Sequence, residues 1–203
     1  MGLSSPPAAR PLSQPLGPKE FIWIAALGIA ARSPASIDDV CLVIDDVADQ
    51  RWTPVSDVVA STIAEMLADG ALRPSHRASE TFETTDAGWE ILAAMFARPS
   101  GRPGCLLGEV GFRLKLAFID LAPMEARHLY LSDTIRAYEG EIEACEQRCR
   151  HCAIQGPFAR KWLDHETDRL RSDLSLLHSM AAECGISDPS RLSYRKVTAC
   201  ATR

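Results

Sequence analysis

Apolar residues along this chain recur at helical spacing in block after block, and the blocks differ in how many faces they cover. Residues 19–31 are apolar nearly all round, which predicts a helix at the centre of a core. Ser33-Pro34 ends it, because the residue before a proline is pushed out of helical geometry. Ser36 then caps a second helix, with Asp38 and Asp39 in its first turn and Val40, Val43, Ile44 and Val47 on one face. Thr53-Pro54 predicts the start of a third helix running to about Asp69, with Val55, Val59, Ile63, Met66 and Leu67 on one stripe. Gly70 supplies the stop. Two short extended runs, 71–74 and 81–84, flank a polar stretch of six residues and predict a hairpin. Thr84 or Thr85 caps a fourth helix that reaches Met95 and Phe96.

Pro99, Gly101, Pro103 and Gly104 form a linker, where a domain boundary is expected. Beyond it the pattern is wholly helical. A segment from Leu106 to Leu121 stops near Pro123, and a long helix is predicted from about Met124 to Cys152. Leu131, Ile135, Tyr138, Ile142, Cys145, Cys149 and Cys152 alternate steps of four and three, a heptad seam. A turn at 154–157 leads to a last helix, Phe158 to Cys184, with its own seam of Leu163, Leu170, Leu174, Leu177, Ala181 and Cys184. Narrow seams on helices of this length predict packing against a neighbour or a second chain. The expected organisation is an arm at 1–18, a compact domain at 19–98, a helical region at 105–185 and a loose tail at 186–203.

The order helix, helix, helix, hairpin, helix is that of a winged helix, with helices two and three as a helix-turn-helix and the hairpin as the wing. The fold class expected is mainly α: an α+β winged helix-turn-helix domain followed by a long antiparallel helical dimerisation region.

Composition narrows the setting. The formal net charge of −5 over 203 residues argues against a purely electrostatic nucleic-acid coat and does not exclude DNA binding through a local docking face. No stretch reaches the length of a membrane span, so no membrane role is expected. Residues 1–18, rich in Pro, Ser and Ala, read as a disordered arm without the pattern of a secretory signal, which predicts a cytoplasmic protein. Seven cysteines, an odd count, then predict reduced thiols.

Four stretches resemble the PadR-like family of transcriptional regulators. Phe21-Ile22-Trp23-Ile24-Ala25-Ala26-Leu27 is similar to the family's opening apolar helix. Trp52-Thr53-Pro54, leading to the run from Thr62 to Leu72, looks like the recognition helix and its turn into the wing. The run from Phe82 to Gly88 is close to the second wing strand and the helix start after it. The run from Phe112 to Phe118, with Leu131 to Ile142, is like the helical dimerisation region. The resemblance covers roughly residues 19–183. It implies a homodimer that binds double-stranded DNA at a two-fold operator, usually as a repressor, and for some members a small aromatic effector at the dimer interface. The third helix departs from the family in carrying Asp57, Glu65 and Asp69 and no Lys or Arg.

DNA contacts are therefore expected from Arg51, Thr53, Ser56, Ser61 and Thr62, and from Arg73, Ser75, His76 and Arg77 in the wing. Phe112, Phe118 and Trp162 are the candidate effector contacts. Cys145, Cys149 and Cys152 are a candidate soft-metal or redox site, set against the simpler reading in which they continue the heptad seam. The acidic third helix keeps two alternatives open: a winged-helix adaptor that docks protein, and a cysteine-based metal or redox sensor. No nucleophile elbow, zinc-protease motif or Gly-rich phosphate loop occurs, so a non-enzymatic protein without cofactor is expected.

Overall fold

The computed structural model describes residues 14–76, 80–151 and 156–186. The element order is α1 (Pro18–Ala30), α2 (Ile37–Ala48), α3 (Ser56–Ala68), β1 (Leu72–Pro74), β2 (Phe82–Thr84), α4 (Asp86–Phe96), α5 (Leu106–Phe118), one 3₁₀ turn (Ile119–Leu121), α6 (Met124–His151) and α7 (Pro157–Glu183). The fold is mainly helical with one small antiparallel hairpin, as the pattern predicts. No helix among the described residues is long and apolar enough to cross a membrane.

The local starts and stops follow from side-chain chemistry. The Ser36 hydroxyl accepts the Asp39 N–H at 3.2 Å, and the Asp39 carboxylate accepts the Ser36 N–H at 2.8 Å, so α2 opens on a reciprocal cap. Those bonds from Ser36 hold the Asp39 carboxyl below its ordinary pKa. The Thr85 hydroxyl accepts the Gly88 N–H at 3.1 Å and starts α4. Gly70 takes φ +75°, a left-handed turn that carries α3 directly into the wing. The wing pairs Leu72 with Thr84, Arg73 with Glu83 and Pro74 with Phe82. Ala35 adds a one-residue bridge by exchanging backbone hydrogen bonds with Phe82, which ties the turn before α2 to the wing.

One start differs from the sequence expectation. α3 begins at Ser56 rather than at Thr53-Pro54, and its N-cap Val55 provides no side-chain cap. The tertiary structure holds the preceding turn extended. Trp52 packs edge-on against Phe21 with ring centroids 5.5 Å apart, and Arg51 is ion-paired to Glu109 on α5.

Two clusters of buried side chains hold the molecule. The larger surrounds α1, whose residues Phe21 through Gly28 are all buried. The linker at 99–104 does not separate this core from the helical region: Val110, Leu114 and Phe118 of α5 lie inside it. Phe118 sits on Gly28, where a β-carbon would come within 2.5 Å of the ring, so only glycine admits this approach. The second cluster joins Leu131, Ile135 and Tyr138 of α6 to Leu170, Leu177 and Ala181 of α7, with Phe112 of α5 at one end. The two heptad seams thus meet each other within one chain, as a helical hairpin about 40 Å long at 1.5 Å per residue.

Candidate nucleic-acid interface and ligand cavity

α3 buries Val59, Thr62, Ile63 and Met66 and leaves Ser56, Asp57, Val58, Ser61, Ala64, Glu65, Ala68 and Asp69 exposed beside the wing. This is the surface a helix-turn-helix presents to a groove. Its chemistry is acidic and hydroxylic. Residues 18–85 contain five cations, Lys19, Arg32, Arg51, Arg73 and Arg77, against eleven Asp and Glu. The four described cations are all engaged. Lys19 pairs with Glu65 on α3, Arg32 with Asp120 at 2.8 Å, Arg51 with Glu109, and Arg73 with Glu83 at 3.1 Å.

The expected DNA contacts fall into three groups. Thr53, Ser56, Ser61 and His76 are exposed, although the Ser61 hydroxyl donates to the Val58 carbonyl at 3.1 Å. Arg51, Arg73 and Ser75 face internal carboxylates: Arg51 reaches Glu109, and Ser75 donates to Glu83 at 2.8 Å. Thr62 corrects the expectation. It is buried, and its hydroxyl donates to Val58 O at 2.8 Å, so it satisfies itself within the helix and presents nothing outward. Arg77 lies outside the described residues.

The Arg51 pairing belongs to a buried charge cluster that sequence reasoning missed. Glu109, 5% exposed on α5, accepts from Arg51 in the turn before α3 and from Arg169 on α7. Arg169 also meets Glu166 at 3.2 Å. One carboxylate therefore fastens the helix-turn-helix to the far helix of the hairpin.

A cavity of about 490 Å³ opens between the end of α4, the linker, α5 and α6. Its size is that of a small-molecule site. Phe112, one of the candidate effector contacts, lines it and packs against Tyr138 with ring centroids 5.4 Å apart. Phe96 and Tyr130 form a second, edge-to-face pair at 6.4 Å. Phe118 is elsewhere: it is a core residue seated on Gly28 under the Arg32 guanidinium. Trp162 is also elsewhere, 62% exposed on α7 beside His165. Phe118 and Trp162 thus stand apart from the cavity that Phe112 lines, because α5 turns Phe118 toward α1 and Trp162 lies on the outward face of α7.

The cavity carries two charged side chains, Arg98 and Asp133. Arg98 is buried and spent: it donates to Gln14 O at 3.2 Å, Pro15 O at 3.1 Å and Glu20 Oε1 at 3.3 Å. Asp133 accepts from Arg136 on its own helix, and burial raises its carboxyl pKa against that pairing. Behind the wall lies Lys115, fully buried, with its ammonium 4.8 Å above the Tyr130 ring and donating to Phe96 O at 3.4 Å and to Arg98 O. Those carbonyls end α4, so the lysine caps that helix from another element. Burial depresses Lys115 to about 7, and raises the Tyr130 phenol to about 12.

Of the three candidate metal-site cysteines, Cys145 is buried in the α6–α7 seam and accepts the Thr167 hydroxyl at 3.3 Å. Cys149 is half-buried, with its thiol pKa raised chiefly by burial, the opposite of an activated thiolate. Cys152 lies outside the described residues. Among the described residues no three His, Cys, Asp or Glu side chains are grouped to hold a metal.

No family model and no curated protein matches the chain. Solved structures do. Bacillus subtilis PadR in complex with operator DNA matches at 17% identity and TM-score 0.35, covering 80% of this chain and 98% of that one. The same protein in complex with p-coumaric acid matches at 17% and 0.38, covering 84% and 98%. A PadR-like transcriptional regulator from Bacillus cereus matches at 15% and 0.37, covering 82% and 99%. At such identities and TM-scores the winged-helix assignment rests on this chain's own element order and hairpin register.

Proposed function

We propose that this chain is a non-enzymatic, cytoplasmic, DNA-binding transcriptional regulator of the PadR-like type, dimeric and acting as a repressor that responds to a small molecule. The observation that carries the reading is the intact sequence α2, turn, α3, wing, with the outer face of α3 open beside the hairpin. In this reading α3 enters a major groove through Ser56 and Ser61, Thr53 contacts the DNA backbone from the turn before it, and the wing residues Arg73, Ser75, His76 and Arg77 bracket the adjacent phosphates. The cavity holding Phe112 is the effector site. The PadR structures with operator DNA and with p-coumaric acid have the same partners in kind.

The small number of cations on this face predicts a shallow salt dependence, since each phosphate neutralised lowers log K by about 0.9 for every tenfold rise in salt. Titration of duplex from the chain's own upstream region across a salt series tests this. Binding lost in an Arg73→Ala/Arg77→Ala double variant supports the wing contacts. An Asp57→Asn/Glu65→Gln variant is expected to bind DNA several-fold more tightly, because it removes two carboxylates from the groove-facing surface and releases Lys19. Flat titrations at low salt with every fragment overturn the reading.

Dimerisation is assigned to the outer face of α7, where Phe158 and Trp162 are exposed apolar residues close together near its start and Leu176 is exposed further along. A Phe158→Glu/Trp162→Glu variant is expected to run at monomer mass in light scattering and to lose two-site DNA binding. An unchanged dimer places the interface elsewhere.

A second reading, docking of a basic protein segment, is favoured by the same surface. Leu42, Val55 and Val58 are exposed apolar residues on and before the acidic face of the helix-turn-helix. Here the Asp57→Asn/Glu65→Gln variant has the opposite effect and weakens the partner.

A further inference from the structure

We propose that the cavity between α4, α5 and α6 takes a small aromatic compound bearing an ammonium group, and discriminates against aromatic carboxylates. The inference deepens the effector reading above and rests on it. Four aromatic residues line the space: Phe96, Phe112, Tyr130 and Tyr138. Aromatic faces are electronegative, so they attract a cation and repel an anion brought over them. Asp133 lies on the same stretch of α6 as Tyr130 and Tyr138 and lines the same cavity.

The two positive groups nearby do not reverse this balance. Arg98 lines the cavity, but its guanidinium is bonded to Glu20 and to the carbonyls of Gln14 and Pro15. Lys115 does not line it: its ammonium is fully buried below the Tyr130 ring and committed to two backbone carbonyls. Arg136 is outside the lining, is itself exposed, and donates to one oxygen of Asp133. A ligand carboxylate entering here would meet a carboxylate and a lining rich in aromatic rings, with no uncommitted cation among the described lining residues. A ligand ammonium would meet the carboxylate and the rings together, while its apolar part fills a largely hydrocarbon space.

Isothermal titration calorimetry of the full chain at pH 7, without DNA, tests this with two probes of near-equal shape, tryptamine and indole-3-propionate. Tryptamine is expected to bind and indole-3-propionate to bind at least tenfold more weakly. Asp133→Asn is expected to weaken tryptamine about tenfold, or about 1.4 kcal/mol, and to leave indole-3-propionate unchanged or improved. Ala137→Trp, which fills the cavity from an exposed lining position, is expected to abolish tryptamine binding. Equal affinity for the two probes, binding of neither at millimolar concentration, or tryptamine binding indifferent to both variants overturns the proposal. Because the titration contains no DNA, its failure leaves the regulator reading standing, and a failed DNA titration leaves the ligand result intact.

Discussion

Replacing Glu109 by alanine is expected to cost about 3 kcal/mol of folding stability. The carboxylate is almost fully enclosed and is shared by Arg51 and Arg169. Removing one partner of a buried ion pair costs about 3–5 kcal/mol, because the remaining charge keeps its desolvation penalty and loses its compensation. Both guanidinium groups here retain some access to water, Arg51 more than Arg169, which puts the expectation at the low end. Arg51→Ala is the control: Arg169 still neutralises Glu109, so about 1 kcal/mol is expected. Urea unfolding of the three proteins at pH 7 reads both numbers. A loss under about 1 kcal/mol for Glu109→Ala would mean that the triad is solvated in solution. Since Arg51 sits in the turn before α3, the same variant should also raise hydrogen exchange in that turn before the core opens.

The second large effect is a pH dependence carried by Lys115. Its folded pKa is about 7 against an ordinary value of 10.5, and desolvation is the leading cause. Below pH 7 the group is protonated whether the chain is folded or not, and the cost of burying the charge is present in full. Between pH 7 and 10.5 the unfolded chain binds a proton that the folded chain has released, so stability rises with pH across that window. From pH 7 to pH 9 the gain is about 2 kcal/mol, at about 1.4 kcal/mol per unit where the difference approaches one proton. Lys115→Met removes the titrating group, and its unfolding free energy should lack this rise. The readout is the difference in slope between the two proteins, which cancels every other titration. Parallel slopes would show that the lysine stays charged on its two carbonyls throughout.

How far the sequence carries the fold depends on the range of the interactions involved. The α2 cap is legible because Ser36 and Asp39 bond each other three residues apart, and the wing turn because Gly70 must be glycine for a left-handed φ. The heptad steps through Leu131, Ile135, Tyr138 and Cys145 place the seam correctly. They do not say whose seam will fill it, since periodicity records a face and not a partner. The start of α3 is misread from sequence because Thr53-Pro54 has good local capping chemistry, which the anchors at Trp52 and Arg51 override.

The site is less legible than the fold for the same reason. Arg98, Glu109 and Lys115 read as ordinary surface charges until residues 17 to 84 positions away close over them. Phe118 passes for a pocket residue because its slot is made by Gly28, an absence of side chain ninety residues earlier. Phe112 lies at the cavity because its side of α5 faces α6, where it meets Tyr138.

The anchoring of Arg98 to Gln14 and Pro15, together with the bond from Leu16 N to Pro99 O at 3.1 Å, has a practical side. Arg98 and Pro99 form part of the cavity rim, so the backbone at residue 14 is stapled beside the entrance. The described chain therefore begins beside this part of the cavity, and a ligand titration is the measurement that reads any effect of an upstream tag or fusion. Ligand screens on this chain should have an N-terminal handle cleaved before titration, with one titration repeated with the handle in place.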